Sequence, residues 1–310
     1  MLRWLKVLSR RGEIQTYKPV VLVTGAGSGI GLALAEILYS LPQYRVACTA
    51  REHSLAKLRE RFPENERFCL LPLDVTNEDE RERVVTEVCH RWGGINVLVN
   101  NAGISYRSVV EHMTEADELK QMATNYLGPI GLVRLVLPYM RERGRGKIIN
   151  VSSVSGMLAM PTMASYSASK YALEGASEAL WYEAKPLGIS VSLVQPGFIH
   201  SESFRRVYHT EKSRPEACET GPYCDYYRDM VPFIERLMRI SRATPEKVAR
   251  LILCVLQTEN PPLWIPATVD AIIFYYIRRM LPRRFLLPVL FYALPGSRRW
   301  GKDYTHKRQG

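Results

Sequence analysis

The chain has 310 residues, which fits one large domain or two modest ones and is enough to bury a full hydrophobic core. Its composition, 46% hydrophobic and 24% charged with no low-complexity tract, excludes a disordered or fibrous protein. The net charge of +11 comes from the ends, because residues 1–11 carry +4 and residues 278–310 carry +8, so the rest of the chain is close to neutral.

Residues 1–18 form a predicted basic amphipathic segment that lacks the apolar stretch and cleavage site of a signal peptide. Basic ends beside apolar residues favour an anionic membrane surface as a partner and argue against a nucleic acid. No apolar run approaches the ~20 residues that a spanning helix needs. We therefore expect a cytoplasmic protein, free or peripheral on the cytoplasmic face of a membrane.

The six cysteines are scattered and form no CxxC pair, so the sequence predicts neither a disulfide framework nor a metal site. This cysteine usage favours a reducing compartment. Pairing of Cys218 with Cys224, in a polar loop, is the lesser alternative.

From residue 19 to residue 195, apolar runs rich in β-branched residues alternate with helical patterns. The predicted strands are 19–24, 44–50, 68–73, 95–99, 147–151 and 189–195. The predicted helices are 29–40, 54–62, 78–91, 115–142 and 164–185. Continuous apolar strands are typical of sheets buried on both faces. The predicted fold is α/β, a Rossmann-type doubly wound parallel sheet with helices on both faces, as one domain over 19–266.

The alternation stops after the sixth strand, at the sheet edge where such folds bind ligands. Residues 198–243 are rich in Arg, Tyr, Phe and Pro, and we interpret them as a substrate lid. A helix over 245–257 is predicted from the capping residue Thr244 followed by Pro245. A short strand near 262–266 and a basic apolar tail over 267–310 complete the chain.

A glycine-rich turn follows the first predicted strand and opens the first helix. Gly25 permits the tight turn, Gly29 lets the backbone approach a pyrophosphate, and Gly31 lets the helix pack on the strand. Ser28 and Ile30 flank Gly29 where the helix presents its N–H groups to an anion. The sequence therefore predicts a dinucleotide site, and the alternative is a purely structural turn.

The end of the second strand selects between the two nicotinamide dinucleotides. An acidic residue there binds a ribose hydroxyl, whereas an arginine pairs with the 2′-phosphate of NADP. Arg51 occupies this position, and residues 49–51 contain no acid, although Glu52 is adjacent. The expected cofactor is NADP(H); the alternative is that Arg51 is an ordinary solvated charge.

Across residues 19–200 the chain resembles the short-chain dehydrogenase/reductase superfamily. Seven motifs occur in the same order as in that family. These motifs are the turn at 24–31, Asp74-Val75, Asn100-Asn101-Ala102-Gly103, Asn125, Ser153, Tyr166-Ser167-Ala168-Ser169-Lys170 and Pro196-Gly197. The stretch 164–197, the helix after Thr244 and the strand near Pro262 resemble the steroid- and retinoid-active, hydroxysteroid dehydrogenase-like branch.

The resemblance implies a catalytic group of Asn125, Ser153, Tyr166 and Lys170. Tyr166 is the predicted general acid/base, but a free phenol titrates near pH 10, above the useful range. Lys170 is four residues further along a helix, so its ammonium is expected to lower the pKa of Tyr166. Ser153 is predicted to donate a hydrogen bond to the substrate oxygen. Asn125 is implied to hold a water that links Lys170 to solvent.

Other family positions imply cofactor contacts. Asp74 and Val75 are expected to flank the adenine, and Asn100 is expected to contact the cofactor. Pro196, Gly197 and Ile199 are expected to shape the nicotinamide pocket. Ser201 replaces the threonine that the family often has, and the neighbouring His200 is interpreted as incidental.

The predicted pocket walls are apolar, which favours a lipophilic substrate such as a steroid, a retinoid or a long-chain lipid. The wall residues are Met157, Leu158, Met160, Met163, Phe198, Phe204, Tyr208, Tyr223, Tyr226, Tyr227 and Phe233. In the tail, the apolar segments 263–277 and 285–294 are too short to span a bilayer. With arginines between them, they fit a helix lying in the membrane interface. The alternatives are a tail that caps the core or forms a dimer contact.

These inferences support an enzyme that interconverts a hydroxyl and a keto group by hydride transfer. The competing hypothesis is a dinucleotide-binding sensor or scaffold that has the fold but no turnover. The presence of all four implied catalytic residues favours the enzyme, because a sensor has no need of acid/base chemistry. The resemblance also implies a homodimer paired through the helices at 115–142 and 164–185.

Overall fold

The structure, a computed structural model, describes residues 18–200, 207–214 and 221–301. These residues form a parallel sheet in the order β3-β2-β1-β4-β5-β6-β7. The strands are β1 (Val20–Val23), β2 (Arg45–Ala50), β3 (Phe68–Pro72), β4 (Val97–Asn100), β5 (Gly146–Val151), β6 (Ile189–Gln195) and β7 (Trp264–Pro266). The predicted doubly wound α/β fold is confirmed. The predicted N-terminal segment, apart from Lys18, lies outside the described residues.

Helices cover both faces of the sheet. They are α1 (Gly29–Tyr39), α2 (Glu52–Arg61), α3 (Glu78–Trp92), α4 (Glu115–Met122), α5 (Gly128–Glu142), α6 (Ala164–Ala184), α7 (Cys224–Ile240), α8 (Pro245–Gln257), α9 (Val269–Met280) and α10 (Arg283–Ala293). Among the helices of the described ranges, none has both the length and the apolarity to cross a bilayer.

Strand β1 is apolar throughout because each of its faces contacts a separate core cluster. In β1, Val21 and Val23 belong to the cluster under α1, α2 and α8, whereas Val20 and Leu22 belong to the cluster under α3, α5 and α6. All four side chains are essentially inaccessible to solvent. This two-residue alternation between two buried faces explains why no polar residue interrupts the strand.

Local capping sets the helix ends. The Asn77 side chain accepts a hydrogen bond of 3.1 Å from the Glu80 amide at the start of α3, and Gly93 ends that helix with φ +81°. At the start of α8, the Thr244 hydroxyl accepts from the Lys247 amide at 3.4 Å and Pro245 takes the first helical position. The predicted cap and Pro245 start of this helix are confirmed.

The predicted helix over 115–142 is not continuous. A π-helical turn over Ala123–Leu127 separates α4 from α5. Pro129 has no N–H to donate to the carbonyl of Asn125, so regular α-helical bonding fails here and the backbone widens. The turn places Asn125 in the protein interior, fully buried.

Strand β1 pairs with β2 on one side and with β4 on the other, and β4 pairs in turn with β5. The direction in which successive strands are added to the sheet therefore reverses between β1 and β4. Loops that leave the two strands at this point diverge toward opposite faces of the sheet, and the gap between them is a crevice at the carboxyl ends of the strands. The candidate site lies in this crevice.

Candidate active site

A cavity of about 1080 Å³ opens at the carboxyl edge of the sheet. The predicted site residues that line it are Gly25, Ser28, Gly29, Ile30, Arg51, Asp74, Val75, Ser153, Tyr166, Lys170 and Ile199. Gly31, Asn100 and Asn125, the other predicted residues in the described ranges, do not line it. Ser201 and the wall residue Phe204 lie outside the described residues, as does Cys218.

The glycine turn is tightly packed on its protein side. A Cβ on Gly25, which has φ +70°, would lie 2.7 Å from the Ala102 Cα. A Cβ on Gly31 would lie 2.3 Å from the Gly25 carbonyl oxygen. Gly29 differs, because it has φ +56° and a Cβ there would have no described atom within 4 Å. The turn is therefore closed toward the sheet and open toward the cavity.

The start of α1 is suited to an anion. The Ser28 side chain makes no capping bond to a described residue, and the first turn of α1 carries no acid. The first N–H groups of the helix therefore need an acceptor, and the helix dipole favours a negative one. Together with the open side of Gly29, these features fit a dinucleotide pyrophosphate.

Asn101 holds the turn in place. Its side-chain amide donates to the carbonyl oxygens of Thr24 and Gly25 at 3.0 and 3.1 Å. Asn100, which the resemblance implied as a cofactor contact, does not line the cavity, and its amide donates to Asn150 at 2.9 Å inside the sheet. Asn100 is 2% exposed, and successive strand residues point to opposite sides, so Asn101 lines the cavity instead.

Three predicted cofactor residues lie at one end of the cavity. Arg51 is exposed directly after β2, and its guanidinium lies 3.5 Å from the Tyr208 hydroxyl. The Asp74 carboxylate accepts from the amide and hydroxyl of Thr76, at 2.9 and 2.7 Å, and Val75 is buried. Lys57 and Arg61, on α2, also line this end.

Tyr166, Lys170 and Ser153 come together at the other end. Tyr166 and Lys170 are one turn apart on α6, and the ammonium lies 5.8 Å from the centroid of the phenol ring. Lys170 donates a hydrogen bond of 2.9 Å to the carbonyl of Val151, the last residue of β5. Ser153 lines the cavity beside them, and its hydroxyl acts to lower the pKa of Tyr166. The structure thus joins three of the four predicted catalytic residues around one cavity wall.

Burial controls the protonation of these groups. It raises the pKa of Tyr166, while the Ser153 hydrogen bond and the nearby Arg107 guanidinium act in the opposite direction. Burial also lowers the pKa of Lys170 to about 8, against the pull of the Glu174 carboxylate. In the chain itself, desolvation is the largest effect on the pKa of Tyr166, and Arg107 is the cation that opposes it; the expected lowering of this pKa by Lys170 stays a prediction.

Asn125 contacts Tyr166 and Lys170 only indirectly. Its amide donates to the Ile104 carbonyl at 2.9 Å and to the Ser169 hydroxyl at 3.0 Å, and its oxygen accepts from the Ile104 amide at 2.9 Å. Both amide hydrogens are thereby used, and the oxygen keeps one lone pair. A Cβ on the intervening Gly103 would lie 3.3 Å from this oxygen and 3.8 Å from the Lys170 nitrogen.

Only part of the predicted apolar wall lines the cavity. Met160, Met163, Phe198 and Tyr208 do, joined by residues of α7 that the sequence did not single out, Ile234 and Met238. Other predicted wall residues face elsewhere. The Tyr227 hydroxyl accepts from the Val109 amide at 3.0 Å, and the Tyr223 hydroxyl donates to Glu111 at 2.6 Å.

Helix α9 fixes the loops around the site. The Thr268 hydroxyl accepts from the Gly197 amide at 2.9 Å, and the Asp270 carboxylate accepts from the Phe198 amide at 2.8 Å. Arg278 donates to the Met157 carbonyl at 2.9 Å. The tail therefore takes part in shaping the loop after β6, which the sequence did not reveal.

The sequence did not single out two charged residues that lie near Tyr166 and Lys170. Arg107 is 6% exposed and lines the cavity, in a segment after the Asn100–Gly103 motif for which no element is predicted. Glu174 is 5% exposed beside Lys170. Its position four residues after Lys170 was a usable signal, because that spacing places both on one helix face.

Comparisons with known proteins agree with this architecture. The family model for short chain dehydrogenase matches residues 19–212. The 3-ketodihydrosphingosine reductase of Bacteroides thetaiotaomicron is 35% identical over 246 residues, which are 78% of this chain and 85% of that protein.

Two solved structures support the same assignment. A short-chain dehydrogenase from Streptomyces avermitilis is similar with a TM-score of 0.71 and 35% identity, over 83% of this chain and 92% of that one. A metagenomic short-chain oxidoreductase in complex with NADP has a TM-score of 0.62 and 26% identity, over 80% and 96%. The chain therefore belongs to the short-chain dehydrogenase/reductase family, oxidoreductases that act on CH–OH groups with a nicotinamide dinucleotide.

Proposed function

We propose that this protein is an NADP(H)-dependent oxidoreductase that interconverts a hydroxyl and a keto group on a lipophilic substrate, with Tyr166 as the acid/base. The observation that carries the proposal is that Ser153, Tyr166 and Lys170 line the same cavity as the glycine turn, with the Lys170 ammonium 5.8 Å from the centroid of the Tyr166 ring. A sensor or scaffold would need the turn but not this arrangement.

The bound nicotinamide supplies or accepts a hydride. The chain's own residues manage the proton and the charge on oxygen. Ser153 donates a hydrogen bond to the substrate oxygen, which stabilises negative charge that develops there. Tyr166 exchanges a proton with the same oxygen, and Lys170, held by the Val151 carbonyl, supplies positive charge beside the phenol.

The preference for NADP(H) rests on the charges near the adenosine end. Arg51, Lys57 and Arg61 line the cavity there, with Asp74 as the acid on the same wall. Arg61 already pairs with the Glu36 carboxylate, whereas Arg51 contacts only the neutral hydroxyl of Tyr208 in the described residues. Arg51 and Lys57 are therefore the cations suited to a ribose phosphate. An arginine fork matches phosphate geometry, and this supports NADP(H) over NAD(H).

The substrate end of the cavity supports a lipophilic substrate, whether a steroid, a retinoid or a long-chain lipid. Met160, Met163, Phe198, Ile234 and Met238 line it. Such flexible and aromatic side chains suit an apolar chain or ring system. The similarity to a 3-ketodihydrosphingosine reductase favours a long-chain keto lipid within this class.

A substrate screen tests the proposal. We expect oxidation of NADPH, followed by its absorbance, with at least one of a steroid ketone, a retinal and 3-ketodihydrosphingosine. The same reactions with NADH should be slower. If the chain binds NADPH but turns over no member of the three classes in either direction, the non-catalytic sensor becomes the better interpretation.

We further propose that α9 and α10 attach the protein peripherally to an anionic membrane. The inner face of α9 packs on the protein, where Ala271 is fully buried against Val154 and Met157. The outer faces are apolar and exposed at Val269, Ile273, Tyr276, Met280, Phe285, Leu287, Val289 and Tyr292. The exposed Arg279 lies in the last turn of α9, and the exposed Arg283 and Arg284 begin α10, so positive charge flanks the junction of the two helices, which complements anionic lipid.

Vesicle flotation tests the attachment. We expect the full chain to float with phosphatidylcholine/phosphatidylserine vesicles, and Ile273→Glu with Val289→Glu to abolish flotation. Leu119→Glu, equally exposed but on α4, is the matched control and should still float. If the double variant floats as the wild type does, membrane attachment through this surface is contradicted. If the double variant still floats but no longer self-associates, the surface is a dimer contact.

A further inference from the structure

We propose that Glu174 is a positioning residue of the active site, whose buried carboxylate holds the end of β5 and provides the counter-charge for the Lys170 ammonium. The inference rests on the proposed function, since it concerns how Lys170 is kept positioned and charged beside the acid/base Tyr166. Glu174 does not line the cavity, so it acts through Ser152 and Lys170.

The carboxylate is built into a polar cluster behind the cavity wall. One oxygen of Glu174 accepts from the Ser152 hydroxyl at 2.6 Å and from the Gln195 amide at 2.8 Å. Ser152 directly follows β5 and Gln195 is the last residue of β6, so a side chain of α6 joins two neighbouring strand ends. Ser153, which lines the cavity together with Tyr166, is the next residue after Ser152.

The backbone is shaped to admit this carboxylate. A Cβ on Gly156 would lie 2.2 Å from the same oxygen of Glu174. Only glycine leaves room there, in the 3₁₀ turn over Val154–Gly156 that follows Ser153. A carboxylate that is 5% exposed and enclosed in this way costs stability unless it has donors and a nearby cation.

Lys170 is that cation. It lies one turn before Glu174 on α6, is 5% exposed, and donates to the Val151 carbonyl. Tyr166, which Arg107 influences in turn, faces Lys170 on the cavity side, and Arg279 of α9 acts on Glu174 from the other side. Burial lowers the pKa of Lys170 to about 8, and Glu174 opposes this shift.

Removing the Glu174 charge should lower the pKa of Lys170. With the Glu174 charge removed, desolvation of Lys170 is no longer opposed, so its pKa falls and the neutral amine becomes populated at neutral pH. Gln at position 174 keeps an acceptor oxygen for Ser152 and Gln195. Because burial raises the pKa of Glu174, a neutral isostere removes an unfavourable charge, and we expect the variant to fold.

The test is the titration of Lys170 by NMR in ¹³Cε-lysine-labelled full-length protein, with its signal assigned by loss in Lys170→Met. We expect a midpoint near pH 8 in the wild type and one lower by about one pH unit in Glu174→Gln. Glu178→Gln is the matched control, because it makes the same change one turn further along α6 at an exposed position. An unchanged midpoint in Glu174→Gln overturns the proposal.

If Glu174→Gln does not fold, Glu174→Asp withdraws the charge by one methylene and should lower the midpoint by a smaller, measurable amount; no change overturns the proposal. The functional readout is the basic limb of the pH profile of ketone reduction, which should move with the lysine midpoint. Absence of turnover in the wild type contradicts the proposed function alone, because the lysine titration needs no substrate.

Discussion

The carboxylate of Asp270, at the start of α9, accepts a hydrogen bond of 2.8 Å from the backbone amide of Phe198, in the loop that follows β6. The preceding residue, Gly197, leaves the space that this carboxylate occupies. A Cβ on Gly197 would lie 1.9 Å from one Asp270 oxygen. The conformation of a loop that lines the cavity is thus set by a helix far along the chain.

The Gly197–Asp270 contact predicts a difference between two glycine substitutions. Gly197→Ala should destabilise the protein by about 1–3 kcal/mol, because the methyl group displaces Asp270. Gly175→Ala, at an exposed position of α6 where an added methyl would have no described atom within 4 Å, should be neutral or stabilising by about 0.5–1 kcal/mol. Urea denaturation measures both, and equal effects would contradict the packing argument.

Tyr166→Phe should reduce turnover at least about 100-fold, because it removes the proton that the substrate oxygen exchanges. The affinity for NADPH, measured by fluorescence titration, should stay close to wild type. Tyr182→Phe removes the same atom from an exposed tyrosine on the same helix and should change neither quantity. Wild-type turnover in Tyr166→Phe would refute the assigned acid/base.

Arg107→Met should change the pH dependence of alcohol oxidation. Arg107 lowers the pKa of Tyr166, and its own pKa, lowered by burial to about 10, still leaves it charged at neutral pH. Oxidation needs the phenolate, so its rate rises as the pH passes the Tyr166 pKa. Removing the cation raises that pKa and should move the rising limb to higher pH. Arg107→Lys keeps the charge and should largely restore the limb; a limb unaffected by Arg107→Met would exclude this role.

Arg51→Ala should weaken NADPH binding by about 10- to 100-fold, the loss expected for one charge-assisted phosphate contact. NADH binding should change little, because NADH lacks the phosphate. Arg59→Ala, an exposed arginine on α2 outside the cavity, serves as the control. Equal losses for both cofactors would mean that Arg51 does not discriminate between them.

Most of the fold was predictable because the buried strands are mostly apolar runs that alternate with helical patterns. Each of the six strands predicted over 19–195 overlaps a strand of the sheet, and Thr244 with Pro245 marked the start of α8. The π-helical turn was not predictable by hydrophobic periodicity, because the chain stays helical from α4 through the turn into α5. Its cause is a missing N–H at Pro129, which affects hydrogen bonding rather than side-chain pattern.

The candidate site was predictable where a sequence motif contains the residues, as for Tyr166, Lys170 and Ser153. It was less predictable where adjacent residues compete for one position or where a distant segment contributes a side chain. Which of Asn100 and Asn101 lines the cavity depends on strand alternation at the end of β4. Arg107 approaches Tyr166 only through tertiary packing, and Asp270 reaches Phe198 across 72 positions of sequence.

The contacts of α9 also constrain how the protein matures during translation. The glycine turn is synthesised long before α9, because the partner of Phe198 is residue 270 and that of Met157 is residue 278. A nascent chain can therefore form the turn while the loops after β5 and β6 still lack their anchors. These loops reach their final conformation only after the ribosome has released α9.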